Sequence, residues 1–372
     1  MKITCDREKL LSAFQTAAMV APARSPKPIL QNVKLEVSSE RVVLMSTDLE
    51  MGVRIEVEGI EVQTPGDVLL PVGRFGSILR ESTDQKLHIE GDPQGLRVTT
   101  DRSDFKLPGA NPDEFPSMVS FEEEKYHKVG AGLFKELIRR TMFATDTESS
   151  RYALGGVLLE MEAQRIIAVG TDGRRLAKME GAAESVGGHL TGDTMTIVPT
   201  RSMQLIDRAL TDPAAEVTVV ARPNDVLIKS PTSRIFSRLV EGRFPRWRDV
   251  IPVRQDAVRI DIMVGPLYSA VRQAAIVADE ESRGIDFTFG EGKLVLAGAT
   301  ADVGQSRVEL PIPYDGSPIA VSLDHRFVAD FLKVLDPQKV FNVEVVDEES
   351  AALFTTDDGY SYVVMPLARD RR

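Results

Sequence analysis

Catalytic sites are built from carboxylates, imidazoles, thiols and glycine-rich phosphate cradles, and this 372-residue chain offers few arrangements of them. It contains no GxxxxGK(S/T) phosphate loop, GxSxG nucleophile turn, HExxH metal helix or EF-hand loop. Asp48, Asp172, Asp357 and Asp358 have the right chemistry for magnesium, since clustered carboxylates hold hard cations in nucleases. However, Thr47-Asp48 and Thr171-Asp172 close equivalent stretches of sequence, where a turn-capping role is the simpler expectation. His88, His127, His189 and His325 are scattered without a partner at ligand spacing, and we expect them at the surface. Cys5, the only cysteine, sits in an amphipathic segment that suits packing better than nucleophilic attack. We therefore expect no catalytic residue, no metal site and no cofactor.

The elements that position these residues are repeated. Residues 30–48 read LQNVKLEVSSERVVLMSTD, and residues 154–172 read LGGVLLEMEAQRIIAVGTD, an offset of 124. Leu30/Leu154, Leu35/Leu159, Glu36/Glu160, Arg41/Arg165, Thr47/Thr171 and Asp48/Asp172 coincide without a gap. A third copy, FTFGEGKLVLAGAT, follows 128 residues later without the Thr-Asp pair. Its Phe287, Phe289, Lys293, Leu294 and Val295 fill the same slots. Periodicity of this kind sets the fold. Each unit has a first helix with apolar residues at three- and four-residue spacing, carried by DREKLLSAFQTAAMVA, GLFKELIRRTMFA and GPLYSAVRQAAIVA. Second helices should start near Pro71, Pro199 and Asp324, with proline in the first turn and aspartate as N-cap. VTVVARPNDVLIKS and FNVEVVDEESAALFTT alternate and break as hairpins do. The sequence thus predicts an α+β protein of three repeated domains, 1–120, 128–252 and 256–372, each with two helices packed on antiparallel sheet. Linkers fall around 119–128 and 252–258. A row of such units leaves open sheet edges, which ring closure would remove and capped ends would only cover.

Composition limits what these units can do. An apolar share of 42% with 27% charged residues is ordinary for a globular protein. One cysteine fits a reducing compartment. The first ten residues lack the apolar run of a secretory signal, and no stretch approaches the roughly 20 apolar residues that cross a bilayer. A cytoplasmic protein without membrane contact is expected. The net charge is −11, yet the six helix windows hold twelve basic and seven acidic residues, so they total +5 and the remainder −16. This segregation suits helices that meet phosphates loosely while the remaining surface repels them, although solvated helix faces commonly carry Lys and Arg. On the helix near residues 132–145, Lys135 and Arg139 should share a face opposite Leu133, Leu137 and Ile138. Aromatic residues are only 6% of the chain, too few for stacking platforms, and Trp247 in GRFPRWRDVIP should sit in a turn.

PILQNV with STDLEM, RYALGGVLLE with TDGRRLA, EGRFPRWRDVIP and the terminal YVVMPL, in this order within three repeats, resemble the bacterial DNA polymerase III beta subunit family, the replicative sliding clamps, over essentially the whole chain. The resemblance implies a head-to-tail homodimer forming a ring, with helices around the hole and sheets outside. Such a ring encircles duplex DNA topologically, without sequence specificity, and makes and breaks no bond. Its implied partners are a clamp loader, the replicative polymerase catalytic subunit, and other polymerases and repair proteins that insert short apolar motifs into a cleft. By motif position the cleft comprises Leu154, Thr171, Gly173, Arg175, Leu176, Pro245, Val250, Val363, Val364, Met365 and Pro366. The resemblance places DNA contacts at Arg24, with Arg74, Tyr152 and Arg201 as companions. Its dimer contact falls at Phe105, Leu107, Ile276 and Val277. Arg174 departs from the histidine common in this motif, Asp249 and Ser282 depart at the cleft rim, and the basic tail ARDRR extends past the usual end. Two other readings remain open on the residues alone: a metal-dependent nuclease or phosphatase on repeated α+β units, and a scaffold that binds only proteins.

Overall fold

The structure is a computed structural model that describes residues 1–118, 122–146, 148, 153–192, 194–254, 257–279, 281–300 and 303–368. Six α-helices appear at the expected places: α1 (Arg7–Ala18), α2 (Val72–Glu81), α3 (Ala131–Thr141), α4 (Thr200–Ala209), α5 (Val264–Ala274) and α6 (His325–Lys333). Asp6 caps α1 by accepting from Lys9 N at 3.0 Å, and Asp324 caps α6 by accepting from Arg326 N at 2.9 Å. Either bond satisfies a backbone donor that the first turn leaves without a helical partner. Pro71 and Pro199 occupy the N-cap of α2 and α4, not the first turn as expected. Their fixed φ is compatible with the extended ψ from which the chain enters the helix.

The chain forms two compact units, and the middle sequence repeat contributes to both. The first unit comprises Met1–Lys135, Met161–Gln164 and Ala183–Leu239. Its five-stranded sheet runs Ile60–Thr64, Lys2–Asp6, Lys86–Asp92, Gly95–Thr99, Asp104–Pro108. Its nine-stranded sheet runs Glu184–Val186, Tyr126–Gly130, Glu216–Ala221, Asp225–Lys229, Ser233–Arg238, Met51–Glu56, Val42–Thr47, Asn32–Val37, Gly66–Pro71. The two repeats meet where Ser237 pairs antiparallel with Met51 and Ser233 with Ile55. Leu10, Phe14 and Ala17 form the buried face of α1, and Phe14 meets Phe75 of α2 edge-on at 5.0 Å.

The second unit comprises Glu136–Glu160, Arg165–Ala182 and the chain from Val240 onward. One sheet contains, in order, Gly156–Met161, Arg165–Thr171, Arg175–Ala182, Tyr360–Val364, Ala352–Thr355, Val340–Val345 and Val258–Met263. Another runs Gly304–Pro311, Lys293–Thr300, Gly284–Gly290, Ile319–Asp324. Here too a late repeat pairs with its predecessor, Leu176 opposite Val363 and Arg175 opposite Val364. The core centres on Phe331 of α6, whose ring lies 5.1–5.4 Å from those of Phe341, Phe354, Tyr360 and Tyr362.

Burial overturns several surface expectations. His127 is fully buried and His189 nearly so, and their Nδ1 atoms are 2.7 Å apart. Strand pairing brings them together across 62 residues, a juxtaposition that linear spacing cannot reveal. His127 Nε2 lies 2.7 Å from Glu162 O, and His189 Nε2 accepts from Ala221 N at 3.1 Å. Lys135 is not a free surface cation either, because its Nζ donates to Asp207 O and Leu210 O at 2.5 and 2.6 Å. Arg140 is buried and pairs with Glu136 and Asp358. Part of the positive charge of the helices is therefore answered within the fold. Cys5 is buried as expected, and burial pushes its thiol up to about 12, so it is no nucleophile.

Candidate functional site

The Thr-Asp turns recur as one hydrogen-bond pattern. Thr171 Oγ1 donates to Arg175 O at 2.6 Å and accepts from Gly173 N at 3.1 Å. Asp172 Oδ1 accepts from Arg174 N and Arg175 N at 2.9 and 3.0 Å. In the first repeat Thr47 donates to Met51 O at 2.8 Å and accepts from Leu49 N at 3.0 Å. Asp48 Oδ1 accepts from Glu50 N and Met51 N at 3.0 and 2.8 Å. Both carboxylates cap turns. Among the described residues no group of three or more potential metal ligands occurs. The third residue of each turn is left-handed, Leu49 at φ +80° and Gly173 at φ +86°. Glycine adopts that conformation freely, whereas leucine is strained there.

Arg175 follows the second turn and fixes the candidate cleft. Its Nε donates to Asp172 Oδ2 at 2.9 Å, Nη1 to Asp330 Oδ2 at 2.6 Å and Nη2 to Phe143 O at 2.8 Å. The guanidinium carbon also lies 4.4 Å from the Phe327 ring centre. Burial works against this charge, but Tyr362 and the carboxylates of Asp330 and Asp172 outweigh it and hold the guanidinium above its ordinary value. Asp330, Phe143 and Phe327 were missed by sequence reasoning. The only signal was an acid, Asp330, in an otherwise apolar stretch of α6.

The cleft residues divide by exposure. Leu154, Thr171, Leu176, Val363 and Val364 are buried. Arg175, Pro245 and Pro366 are half-buried, while Gly173, Val250 and Met365 are exposed. Strand pairing gathers Thr171, Gly173, Arg175 and Leu176 beside Val363, Val364 and Met365, and Met365 N donates to Arg174 O at 2.9 Å. The segment bearing Pro245 and Val250 is anchored beside Leu154: Gly242 faces the Ala153 side chain, and Trp247 Nε1 donates to Glu160 Oε1 at 3.0 Å. Trp247 itself begins a short 3-10 turn, as expected. At the departures, Arg174 is exposed, Asp249 pairs with Arg246 at 3.3 Å, and Ser282 N donates to Asp279 Oδ1 at 2.7 Å.

The remaining candidates occupy separate surfaces. Arg24 and Arg74 are exposed. Arg201 is half exposed, with Nη1 on Asp48 Oδ2 at 3.0 Å and Nη2 on Met19 O at 2.9 Å. Tyr152 and tail residues 369–372 lie outside the described residues. Phe105 and Leu107 are half-buried on Asp104–Pro108, an edge strand of the five-stranded sheet. Ile276 is 77% exposed and Val277 half-buried in the turn after α5. A second open edge, Gly304–Pro311, escaped the sequence analysis; Ser306, Val308 and Leu310 are half-buried on it and Arg307 and Glu309 point outward. Its strict alternation in VELP was the available signal.

Comparison with known proteins follows the same order along the chain. The N-terminal, central and C-terminal domains of the DNA polymerase III beta subunit match residues 1–119, 128–246 and 248–368. A beta sliding clamp of Pseudomonas putida is 30% identical, with 99% of this chain and 100% of the relative covered. One from Chlamydia muridarum is 26% identical over 99% of both. The solved DnaN sliding clamp of Pseudomonas aeruginosa bound to griselimycin superposes with a TM-score of 0.89 at 27% identity, covering 99% of this chain and 100% of that one. The sliding clamp of Bacillus subtilis, 22% identical and covered fully on both sides, shares the fold at a TM-score of 0.87. With all three domains matched in order, the chain belongs to the DNA polymerase III beta subunit family.

Proposed function

We propose that this protein is a DNA sliding clamp, the processivity factor of a bacterial replicative polymerase. Two copies join head to tail into a ring that encloses double-stranded DNA and tethers the polymerase catalytic subunit to it. The observation that carries this reading is the succession of three DNA polymerase III beta subunit domains across the chain. The work is topological, so the protein needs no catalytic group. Nothing favours the nuclease alternative, because the candidate carboxylates Asp48 and Asp172 are bound by backbone N–H groups.

In this reading the domains span 1–120, 128–252 and 256–372, and the protein acts in the cytoplasm. Among the described residues no helix is long and apolar enough to cross a membrane. The open edges Asp104–Pro108 and Gly304–Pro311 support closure by a second copy, with Phe105, Leu107, Ile276 and Val277 packed at the joint. Antiparallel pairing would let Asp104 and Lys106 meet Arg307 and Glu309. Arg24, Arg74 and Arg201 meet DNA phosphates, with Tyr152 as a companion contact. A clamp loader opens the ring, and the polymerase, other polymerases and repair proteins bind it through short apolar motifs. For that role Val250 and Met365 offer apolar lips, Gly173 leaves room without a side chain, and Arg175 keeps the turn rigid.

Loading labelled protein onto a nicked circular plasmid with its clamp loader and ATP tests the proposal. Gel filtration should show retention on the circle and release on linearisation. Equal retention on both forms would mean ordinary DNA binding and defeat the clamp reading.

A further inference from the structure

On the nine-stranded sheet, three cations stand directly opposite one another on consecutive strands: Lys229 opposite Arg234, and Arg234 opposite Arg54. Neighbouring strands are about 4.8 Å apart, and like charges set directly across them repel. A chain with a net charge of −11 has no electrostatic need for such a row. Arg54 is partly answered by Glu36 at 2.8 Å, whereas Arg234 and nearby Arg41 form no ion pair with the described residues.

These side chains line one cavity of about 310 Å³ together with Val43, Glu56, Glu216, Thr218 and the turn Ser230–Ser233. Ser230 and Ser233 hold the turn through a 2.8 Å bond between their hydroxyls, so the cavity floor is built independently of any ligand. Glu216 is turned toward Lys128 at 3.6 Å, which leaves Glu56 as the remaining acid of the lining. The lining therefore holds four cations and two carboxylates, with Arg54 also paired to Glu36, Glu216 to Lys128, and Lys229 itself engaged within the fold. Guanidinium groups bind phosphoryl oxygens through paired N–H donors. A row spanning two strand spacings, about 10 Å, is wider than one phosphate and fits a short chain of phosphoryl groups. The lining has no aromatic ring on which a base could stack.

We propose that this cavity is a binding site for a small polyphosphate anion, separate from the peptide cleft and from the DNA-facing residues. The ligand neutralises the Lys229–Arg234–Arg54 row, with Arg41 closing over it and the Thr218 and Thr232 hydroxyls available to its oxygens.

Titration calorimetry of the full chain at low salt, with tripolyphosphate, pyrophosphate, orthophosphate, dATP and a pentaglutamate peptide, tests this. Tripolyphosphate should bind once per chain, more tightly than orthophosphate, and dATP no more tightly than tripolyphosphate. Arg234→Gln and Lys229→Gln should each weaken it about tenfold or more, whereas Lys86→Gln, at an exposed cation outside the cavity lining, should leave it unchanged. Because Arg234→Gln removes a repulsion, the ligand-free variant should melt no lower than the parent, which separates loss of binding from loss of fold. Absence of tripolyphosphate binding, an affinity indifferent to both substitutions, or equal binding of pentaglutamate would overturn the proposal.

Discussion

Arg175 shows how much one side chain can hold. Its three donors reach a turn carboxylate, a helix carboxylate and a main-chain carbonyl, and its plane rests near an aromatic ring. Replacing it by methionine would leave Asp172 Oδ2 and Asp330 without their cation, and we expect a loss of about 3 kcal/mol in urea unfolding. Gly173→Ala would meet no neighbour, yet its φ of +86° should make it about 1 kcal/mol less stable in the same measurement. The histidine pair sets a pH dependence. Burial, with His127 adding to it, holds the His189 pKa below the ordinary 6.5, against the opposing pull of Ala221 O and Glu123. The unfolded chain therefore takes up its proton first as pH falls. That stability is fully present above pH 6.5 and is lost below it. The melting temperature should fall between pH 7.5 and 5.5, and His189→Gln should flatten the fall; a slope indifferent to this change would exclude the pair as its origin. At this scale, the capping role of Asp48 and Asp172 was legible in the sequence because it depends on neighbours two and three residues away. The histidine pair and the Asp330 partner of Arg175 were not, since strand pairing and helix docking alone bring them into contact.

The elements were the most legible level. Apolar spacing located α1, α3 and α5, because a helix must bury one stripe, start signals at Pro71, Pro199 and Asp324 located α2, α4 and α6, and the hairpins at 216–229 and 340–355 followed from alternation broken by turn residues. Proline positions were misjudged by one residue, since a fixed φ suits both the N-cap and the first turn. Charge on the helices was legible only as a count, because the pairing of Lys135 and Arg140 depends on elements distant in sequence. Phe331 gives the sharpest element-level prediction. It joins α6 to four aromatic rings at its core, so Phe331→Ala should cost about 3–5 kcal/mol by chemical denaturation. The lost volume lies between rings that cannot close on it without disturbing the strands that carry Tyr360 and Tyr362.

For the whole molecule, the repeat and the family motifs made the domain count and the ring expectation readable, whereas the Gly304–Pro311 edge needed the structure. An edge strand with alternating half-buried and exposed residues presents unpaired backbone groups to which another strand can add. Leu107→Lys and Ile276→Asp should each move the sedimentation profile of the full chain from dimer toward monomer, with the helical circular dichroism unchanged. Such monomers should also fail to stay on circular DNA. An unaltered dimer in both variants would locate the subunit contact elsewhere.

The two Thr-Asp turns are closed by cations of opposite origin, and so the two joints should yield differently under load. In the first repeat the cation, Arg201, arrives on α4 and bridges Asp48 to Met19 O. Pulling α4 away takes Arg201 off Asp48 Oδ2, Met19 O and Val20 O together, so none of its bonds to the first repeat survives. In the second repeat Arg175 stays with its own strand, and drawing α6 away breaks its bond to Asp330 while those to Asp172 and Phe143 O survive. That joint slackens before it fails, a hinge with a catch where its counterpart is a latch.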